Sequence, residues 1–262
     1  MASAPQPSLP LFYKDLMPLN SRDHITWSNR RSNTAKWLVG QHAIPLTADE
    51  FAQAQRNFPI VFSQGEDPLP IALMGLNEGV NTFVDDEGTV KDPIYIPAYI
   101  RRYPFMLARL DEKAENLSLC FDPTCGTVGE FDDGQKLFDK DGKPTAETQQ
   151  ILDFCEQFEQ AGVKTKAFVD TLKEHDLLMD SEISISQDEN KDQPFIYRGF
   201  QMVDQEKLRA LDTKVLKAWS DNGILPLIYA HIFSLELMRQ IFSRQVQQGT
   251  GPKLPEAAAE KA

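Results

Sequence analysis

The first half of the chain alternates short apolar runs with turn residues. These runs have the length and composition of buried strands, and they cover residues 59–63, 70–76 and 117–121. Residues 81–84 and 90–96 flank a turn that contains Gly88, which predicts a hairpin whose glycine adopts a positive φ. Together these segments predict an antiparallel meander.

Two short helices are predicted inside this strand-rich half. Thr47 and Glu50 have the spacing of a capping box, and the helix that they begin is predicted to end at Asn57 and Pro59. Residues 97–103 start at one proline and are followed by another, which predicts a single turn of helix. The first half is thus predicted to be a sheet with short helical insertions.

The second half has the 3.6-residue periodicity of amphipathic helices. One apolar stripe stops at Gly162, a second helix is predicted to end near Leu178, and a third is predicted to begin at Asp204, its N-cap. The last helix carries a wide apolar stripe over residues 227–242. An alternating strand and an apolar, aromatic run separate the second helix from the third, over residues 182–186 and 194–200.

These patterns predict an α+β fold, in which an antiparallel, curved or partly closed sheet from the first half packs against helices from the second half. No repeat and no long Gly, Ser or Pro linker divides the body, so we expect a single domain over residues 11–247. The Pro-rich residues 1–10 and the C-terminal residues 248–262 are expected to be disordered.

The chain of 262 residues is acidic, with 39 Asp and Glu against 27 Lys and Arg, for a formal charge of −12. Such a surface repels polyanions, so nucleic acid and anionic membranes are not expected partners. The densest basic cluster is Arg30 and Arg31, with Lys36 close behind. The longest apolar stretch, residues 224–233, is too short to be a transmembrane segment.

The three cysteines cannot all pair with one another, and the N-terminus shows no secretory leader, so we expect a cytoplasmic protein. Cys120 and Cys125 lack the second pair of ligands that a zinc site needs, and the four histidines are widely separated. The sequence contains no phosphate-binding glycine loop, nucleophile elbow or zinc-protease motif. We therefore expect no metal, no cofactor and no catalytic residue of a common class.

The order of motifs along the body resembles one bacterial family. The motifs include residues 12–24, 42–51, 58–62, 73–76, 81–84, 95–105, 119–122, 142–145 and 227–235. They resemble the SapC family, which is named from a surface-layer association and whose members occur beside outer-membrane nutrient receptors and halogenase-like flavoproteins. The resemblance implies no established catalytic or ligand-binding residue. A structural lattice role is not expected, because the sequence lacks the calcium-binding nonapeptide repeats of many surface proteins.

Arg101 and Arg102, between Tyr99 and Tyr103 on the short proline-bounded helix, are the first candidate for a binding site. Adjacent arginines on a helix point in different directions, so we expect one to pair with an internal carboxylate and the other to receive an anionic group. Tyr95, Tyr99 and Tyr103 offer stacking faces beside them. The alternative is a structural ion pair whose aromatic neighbours belong to the core.

Two histidines stand in contrasting contexts. His24 follows a polar Asn-Ser-Arg-Asp segment and is the candidate acid or base, a role that needs a positioned partner. His231 lies on the apolar face of the last predicted helix, where we expect it to form hydrogen bonds inside the core.

Two functions remain open from the sequence. The first is a non-enzymatic accessory or binding protein, which recognises a protein partner or a small ligand in a nutrient-uptake or surface-associated system. The alternative is an enzyme that acts on an anionic or sugar-like substrate, with Arg101 or Arg102 as anchor and His24 as acid or base. A homodimer through the last helix is a further expectation, because its apolar stripe is wide.

Overall fold

The computed structural model describes residues 9–111, 116–185 and 195–251. Its helices are α1 (Ser21–His24), α2 (Phe51–Ala54), α3 (Ala98–Arg102), α4 (Ala146–Glu174), α5 (Gln205–Ala210), α6 (Thr213–Asp221), α7 (Ile224–Ser234) and α8 (Met238–Gln247). Its strands are β1 (Met17–Pro18), β2 (Ser28–Asn29), β3 (Ala43–Pro45), β4 (Ile60–Ser63), β5 (Pro70–Leu73), β6 (Phe105–Ala108), β7 (Ser118–Phe121), β8 (Val128–Gly129), β9 (Gln135–Lys136), β10 (Leu178–Ile185) and β11 (Phe195–Val203). The predicted α+β class is confirmed.

Five antiparallel strands form the main sheet, in the order β10-β11-β4-β5-β3. Three of them come from the first half, as predicted, but the two longest strands, β10 and β11, come from the second half. β11 joins the sheet by placing Phe200 opposite Ser63 on β4. The hairpin of β10 and β11 includes the predicted strand and aromatic run, except for residues 186–194, which lie outside the described residues.

Two smaller antiparallel sheets lie beside the main one, in the orders β1-β7-β6 and β8-β2-β9. None of the three sheets closes on itself within the described residues, so the sheets are open rather than partly closed.

The buried apolar residues form two clusters. The larger cluster packs the main sheet against the C-terminal helices and includes Phe51, Phe58, Phe62, Leu172, Trp219, Ile228 and Ile241. The smaller cluster packs the small sheets and includes Phe105, Phe121, Val128, Leu137 and Cys155. Helix α4 contributes to both, through Cys155 in the smaller cluster and Phe168 and Leu172 in the larger one.

The prediction of two helices separated at Gly162 is wrong, because α4 runs without interruption from Ala146 to Glu174. A glycine inside a helix costs about 1 kcal/mol relative to alanine, which is less than the packing gained by burying residues on both sides of it. The N-terminus of α4 is capped by Thr145, whose side chain accepts a hydrogen bond from Thr148 N.

The predicted hairpin over residues 81–96 is also wrong in extent. Gly88 does adopt a positive φ of 80°, but the only pairing between the two arms is an isolated bridge between Val84 and Val90. Asn81 and Thr82 bond to other segments instead: Asn81 Nδ2 donates to Gln41 O at 3.0 Å and Thr82 Oγ1 donates to Met74 O at 2.9 Å. These bonds draw the first arm towards the core.

The predicted third and fourth helices each divide in two. Asp204 caps α5 as predicted, since its carboxylate accepts from the amides of Glu206 and Lys207. A second cap at Asp212 then starts α6, because its carboxylate accepts from Lys214 N at 2.8 Å. The last helix is interrupted by a 3₁₀ turn over Leu235–Leu237, which separates α7 from α8.

The ends of the chain are described only in part. Residues 1–8 and 252–262, which make up most of the two ends expected to be disordered, lie outside the described residues. The first residues of the C-terminal segment are bonded to the body: Gln248 Nε2 donates to Thr82 O at 3.0 Å, and Thr250 N donates to Gln245 O at 2.8 Å.

Candidate functional site

A cleft of about 940 Å³ lies where the two buried clusters meet. Its walls are the loop over residues 29–38, the end of α3 and the segment after it, the turn over residues 125–127 and the first turns of α4. Leu38 in this lining belongs to the larger cluster, whereas Phe105 and Cys155 belong to the smaller one. The volume is in the range of about 300–1,000 Å³ that is typical of ligand sites.

The lining of the cleft is cationic. Its charged side chains are Arg30, Arg31, Lys36, Arg101 and Arg102 on the positive side and Glu147 on the negative side. The described lining therefore has a formal charge of +4, in a chain whose total is −12. Charge of one sign that gathers in a concave surface raises the local concentration of the opposite ion.

Three of these cations already have carboxylate partners. The pairs are Arg30–Asp133 (2.6 Å from Nε), Lys36–Glu87 (2.7 Å) and Arg102–Glu159 (3.2 Å). Arg31 and Arg101 have no carboxylate partner within the described parts of the chain, and both are exposed. Glu147 accepts a hydrogen bond from Asn29 Nδ2 at 3.0 Å. Two guanidinium groups thus remain free to bind an anion.

Arg101 is held in place by uncharged groups. Its Nε donates to Ile96 O at 3.0 Å and its Nη2 donates to Tyr95 Oη at 3.2 Å. The guanidinium carbon lies 5.1 Å from the centroid of the Phe154 ring, within the range of a cation–π contact. Neutral partners orient this cation and leave its charge uncompensated.

A buried carboxylate anchors Tyr95 in turn. Glu50 Oε1 accepts from Tyr95 Oη at 2.9 Å and from Ala98 N, the first amide of α3, at 2.6 Å. Its Oε2 accepts from Thr47 N at 2.9 Å, and the predicted capping box is confirmed. Burial, followed by the charge of Glu50, raises the pKa of Tyr95, so its hydroxyl stays protonated and donates to Glu50. Glu50, Tyr95 and Arg101 form one connected chain.

Arg102 is buried whereas Arg101 is exposed, so the two side chains point in different directions, as expected. Its side chain is only 5 % exposed, and its guanidinium carbon lies 4.1 Å from the Phe158 ring centroid and 5.1 Å from that of Tyr99. Burial raises the pKa of Tyr99, whose hydroxyl donates to Leu11 O at 3.1 Å. Arg102 Nε is buried without a hydrogen-bond partner in the described residues.

His24 does not line the cleft. It is buried at the end of α1, where its Nδ1 accepts from Asn20 N at 3.2 Å. Its ring centroid lies 4.5 Å from that of Trp27 and 5.4 Å from that of Phe121. Of the residues singled out from the sequence, the structure brings together Arg101, Arg102, Tyr95 and Tyr99, and it places His24 against Trp27 and Phe121 at the smaller cluster.

Sequence reasoning missed the loop that completes the cleft. The basic cluster of Arg30, Arg31 and Lys36 was visible, but nothing local connects it with an arginine 70 residues later. Trp37 and Phe154, both half-buried, also line the cleft. The one available signal was a basic cluster in an otherwise acidic chain.

Cys120 and Cys155 show no sign of activation. Cys155 lines the cleft, and burial raises the pKa of its thiol to about 12; burial also raises the pKa of Cys120. A thiol with a raised pKa is protonated at neutral pH and is a poor nucleophile. Over residues 9–111, 116–185 and 195–251, no group of three His, Cys, Asp or Glu side chains is placed to hold a metal ion.

A second surface feature lies on α7. Tyr229 and Phe233 stack with ring centroids 5.7 Å apart, and Phe233 is 64 % exposed. Homodimerisation through the C-terminal helices stays a prediction. Among the described helices, none combines the length and the apolar character that crossing a membrane requires.

Comparison with known proteins gives one match. No curated protein and no solved structure matches the chain. The sequence model of the SapC family matches residues 19–241, which include the loop, α3 and the part of α4 that surround the cleft. The match covers most of the chain and agrees with the motif order in the sequence, so this protein belongs to the SapC family.

Proposed function

We propose that this protein is a non-enzymatic accessory protein that binds a small organic anion in the cationic cleft. The observation that carries the proposal is the presence, in the lining of one cleft, of two exposed arginines, Arg31 and Arg101, that have no carboxylate partner among the described residues. Guanidinium groups bind carboxylates and phosphates through paired, charge-assisted hydrogen bonds. The acidic remainder of the surface favours selective entry at this position.

We further propose that the protein acts in the cytoplasm and serves a nutrient-uptake or surface-associated system. The three free cysteines support a reducing compartment, and the SapC family supports the system. The enzyme alternative has no observation in its favour: His24 lies away from the cleft lining, and the described lining contains no histidine.

Native mass spectrometry of gently purified protein tests this proposal. We expect wild type to carry a stoichiometric small anion, and the double variant Arg31→Gln/Arg101→Gln to lose it. Arg239→Gln removes an exposed positive charge outside the cleft and is the matched control. Equal ligand occupancy in wild type and the double variant contradicts the cleft as the binding site, and capture of a stoichiometric protein without any small molecule favours a protein partner instead.

A further inference from the structure

We propose that the anion bound in the cleft carries a flat apolar body, so that its charged group meets Arg31 and Arg101 while the body packs on the aromatic wall. This inference rests on the proposed function and names its ligand class. The oxyanion is a carboxylate or a phosphate, because guanidinium groups recognise both in the same way.

The size of the cleft is the first reason. At about 940 Å³, it is far larger than an inorganic oxyanion needs, and it lies at the upper end of the range for sites that enclose drug-sized organic molecules. A cleft that served only to bind phosphate or acetate would leave most of this lining in contact with water.

The character of the wall is the second reason. Besides its cations, the lining includes the half-buried side chains of Trp37, Ile96, Ile151 and Phe154. Trp37 is fixed by two ring contacts, with its centroid 4.6 Å from those of both Phe12 and Tyr103. Rings held rigidly lose little conformational entropy when a flat ligand packs against them.

The third reason is that the guanidinium group of Arg101 lies beside the ring of Phe154. The guanidinium carbon of Arg101 lies 5.1 Å from the Phe154 ring centroid, so an anion bound to Arg101 brings the rest of its ligand next to Phe154. A ligand with an oxyanion at one end and a flat apolar body at the other can bind Arg101 and pack against Phe154 at the same time.

Isothermal titration calorimetry with matched probes tests the inference. The probes are 2-naphthoate and 2-naphthyl phosphate, their stripped counterparts acetate and inorganic phosphate, and the neutral 2-naphthalenemethanol. We expect at least one naphthyl anion to bind ten times more tightly than both its stripped counterpart and the neutral probe. Phe154→Leu is expected to weaken the affinity for that naphthyl anion about fivefold and to leave the affinity for the stripped anion unchanged. Phe233→Leu, outside the cleft, is the control.

The outcomes separate the two proposals. If stripped and naphthyl anions bind equally, and Arg31→Gln/Arg101→Gln abolishes both, the proposed function stands and the apolar body is wrong. If the naphthyl anions and the neutral probe bind equally, or the double variant has no effect, the cationic cleft is not an anion site and both proposals fail. Absence of binding by every probe at millimolar concentration overturns both as well.

Discussion

The C-terminal helices and the cleft both contain polar side chains, but these side chains are hydrogen-bonded to different extents. On α7, His231 Nε2 accepts from Val203 N at 3.1 Å and its Nδ1 lies 2.7 Å from Ile60 O. Ser234 Oγ accepts from Ile60 N at 2.8 Å and donates to His231 O at 2.6 Å. In the cleft, by contrast, two arginines lack a carboxylate and Arg102 Nε lacks any partner among the described atoms.

This difference distinguishes polar side chains that stabilise the fold from polar side chains that are available to bind a ligand. A polar side chain whose donors and acceptors are all bonded to the backbone holds elements together and has nothing left with which to bind a ligand. Unpaired cations in a concave surface do the reverse, since they add little to stability and retain their binding capacity. His231 is therefore a core histidine, as the sequence predicts, whereas Arg31 and Arg101 are the groups that we propose bind the anion.

The largest expected effect is on stability and lies at His231. His231→Ala leaves Val203 N and Ile60 O without partners and creates a cavity, so we expect the free energy of unfolding to fall by about 4 kcal/mol. Urea denaturation measures it. Phe233→Ala, on the exposed side of the same helix, is expected to change stability by no more than about 0.5 kcal/mol. A similar loss in both variants contradicts the role of the two hydrogen bonds.

The next effect is the dependence of stability on pH. Burial, which disfavours the charged imidazolium, lowers the pKa of His231 to about 4. The unfolded histidine has a pKa of about 6.5, so the unfolded state takes up the proton first as pH falls. The free energy of unfolding is therefore expected to fall by about 3 kcal/mol between pH 6.5 and pH 4 through this residue.

Urea denaturation at several pH values between 7 and 4 measures this loss. His231→Gln keeps the capacity to donate and accept without titrating, so its stability is expected to fall less steeply over the same range. Equal pH dependence in wild type and His231→Gln assigns the effect to other groups.

A smaller effect on stability is expected at Arg102. Arg102→Met keeps most of the apolar packing but leaves Glu159 without its partner; because Glu159 is 44 % exposed, we expect a loss of about 2 kcal/mol, below the range for a fully buried pair. Arg101→Met, at the exposed neighbour, is expected to cost less than about 0.5 kcal/mol. Thermal denaturation compares the two, and a larger loss at Arg101 would reverse the assigned roles.

The smallest effect is on ligand affinity and concerns Tyr95. Tyr95→Phe removes the hydroxyl that links Glu50 to Arg101, so we expect anion affinity to fall about fivefold, or about 1 kcal/mol. Tyr99→Phe is the matched control, since it loses a hydrogen bond to Leu11 O and no contact with Arg101. Titration of 2-naphthoate into both variants tests this, and equal affinities exclude a positioning role for Tyr95.

Local signals in the sequence predicted local structure well. The capping box at Thr47 and Glu50, the cap at Asp204 and the turn at Gly88 all depend on residues a few positions apart, and all three form. The failures at Gly162 and residues 81–96 have another origin. There, packing across the two clusters and bonds to distant carbonyl groups outweigh the local preference.

The candidate site was predictable only in part, for the same reason. Arg101 and Arg102 are identifiable from the sequence because a short helix between prolines is a local feature, but their position in the same cleft as Arg31 depends on tertiary packing. The sequence suggested His24 as an acid or base because its neighbours in sequence are polar, whereas its neighbours in space are Trp27 and Phe121. Adjacent polar residues describe the solvent side of a one-turn helix and not its buried side.

The strand order of the main sheet has a consequence for the newborn chain. β4 lies between β5 and β11, and Ser63 on β4 pairs with Phe200, which is synthesised 137 positions later. At roughly 5–20 residues per second, translation takes on the order of ten seconds to supply that strand. During this interval, one side of an apolar strand is an uncovered ladder of amide and carbonyl groups. The growing polypeptide is thus exposed to mispairing at this edge of β4 until residue 203 has left the ribosome.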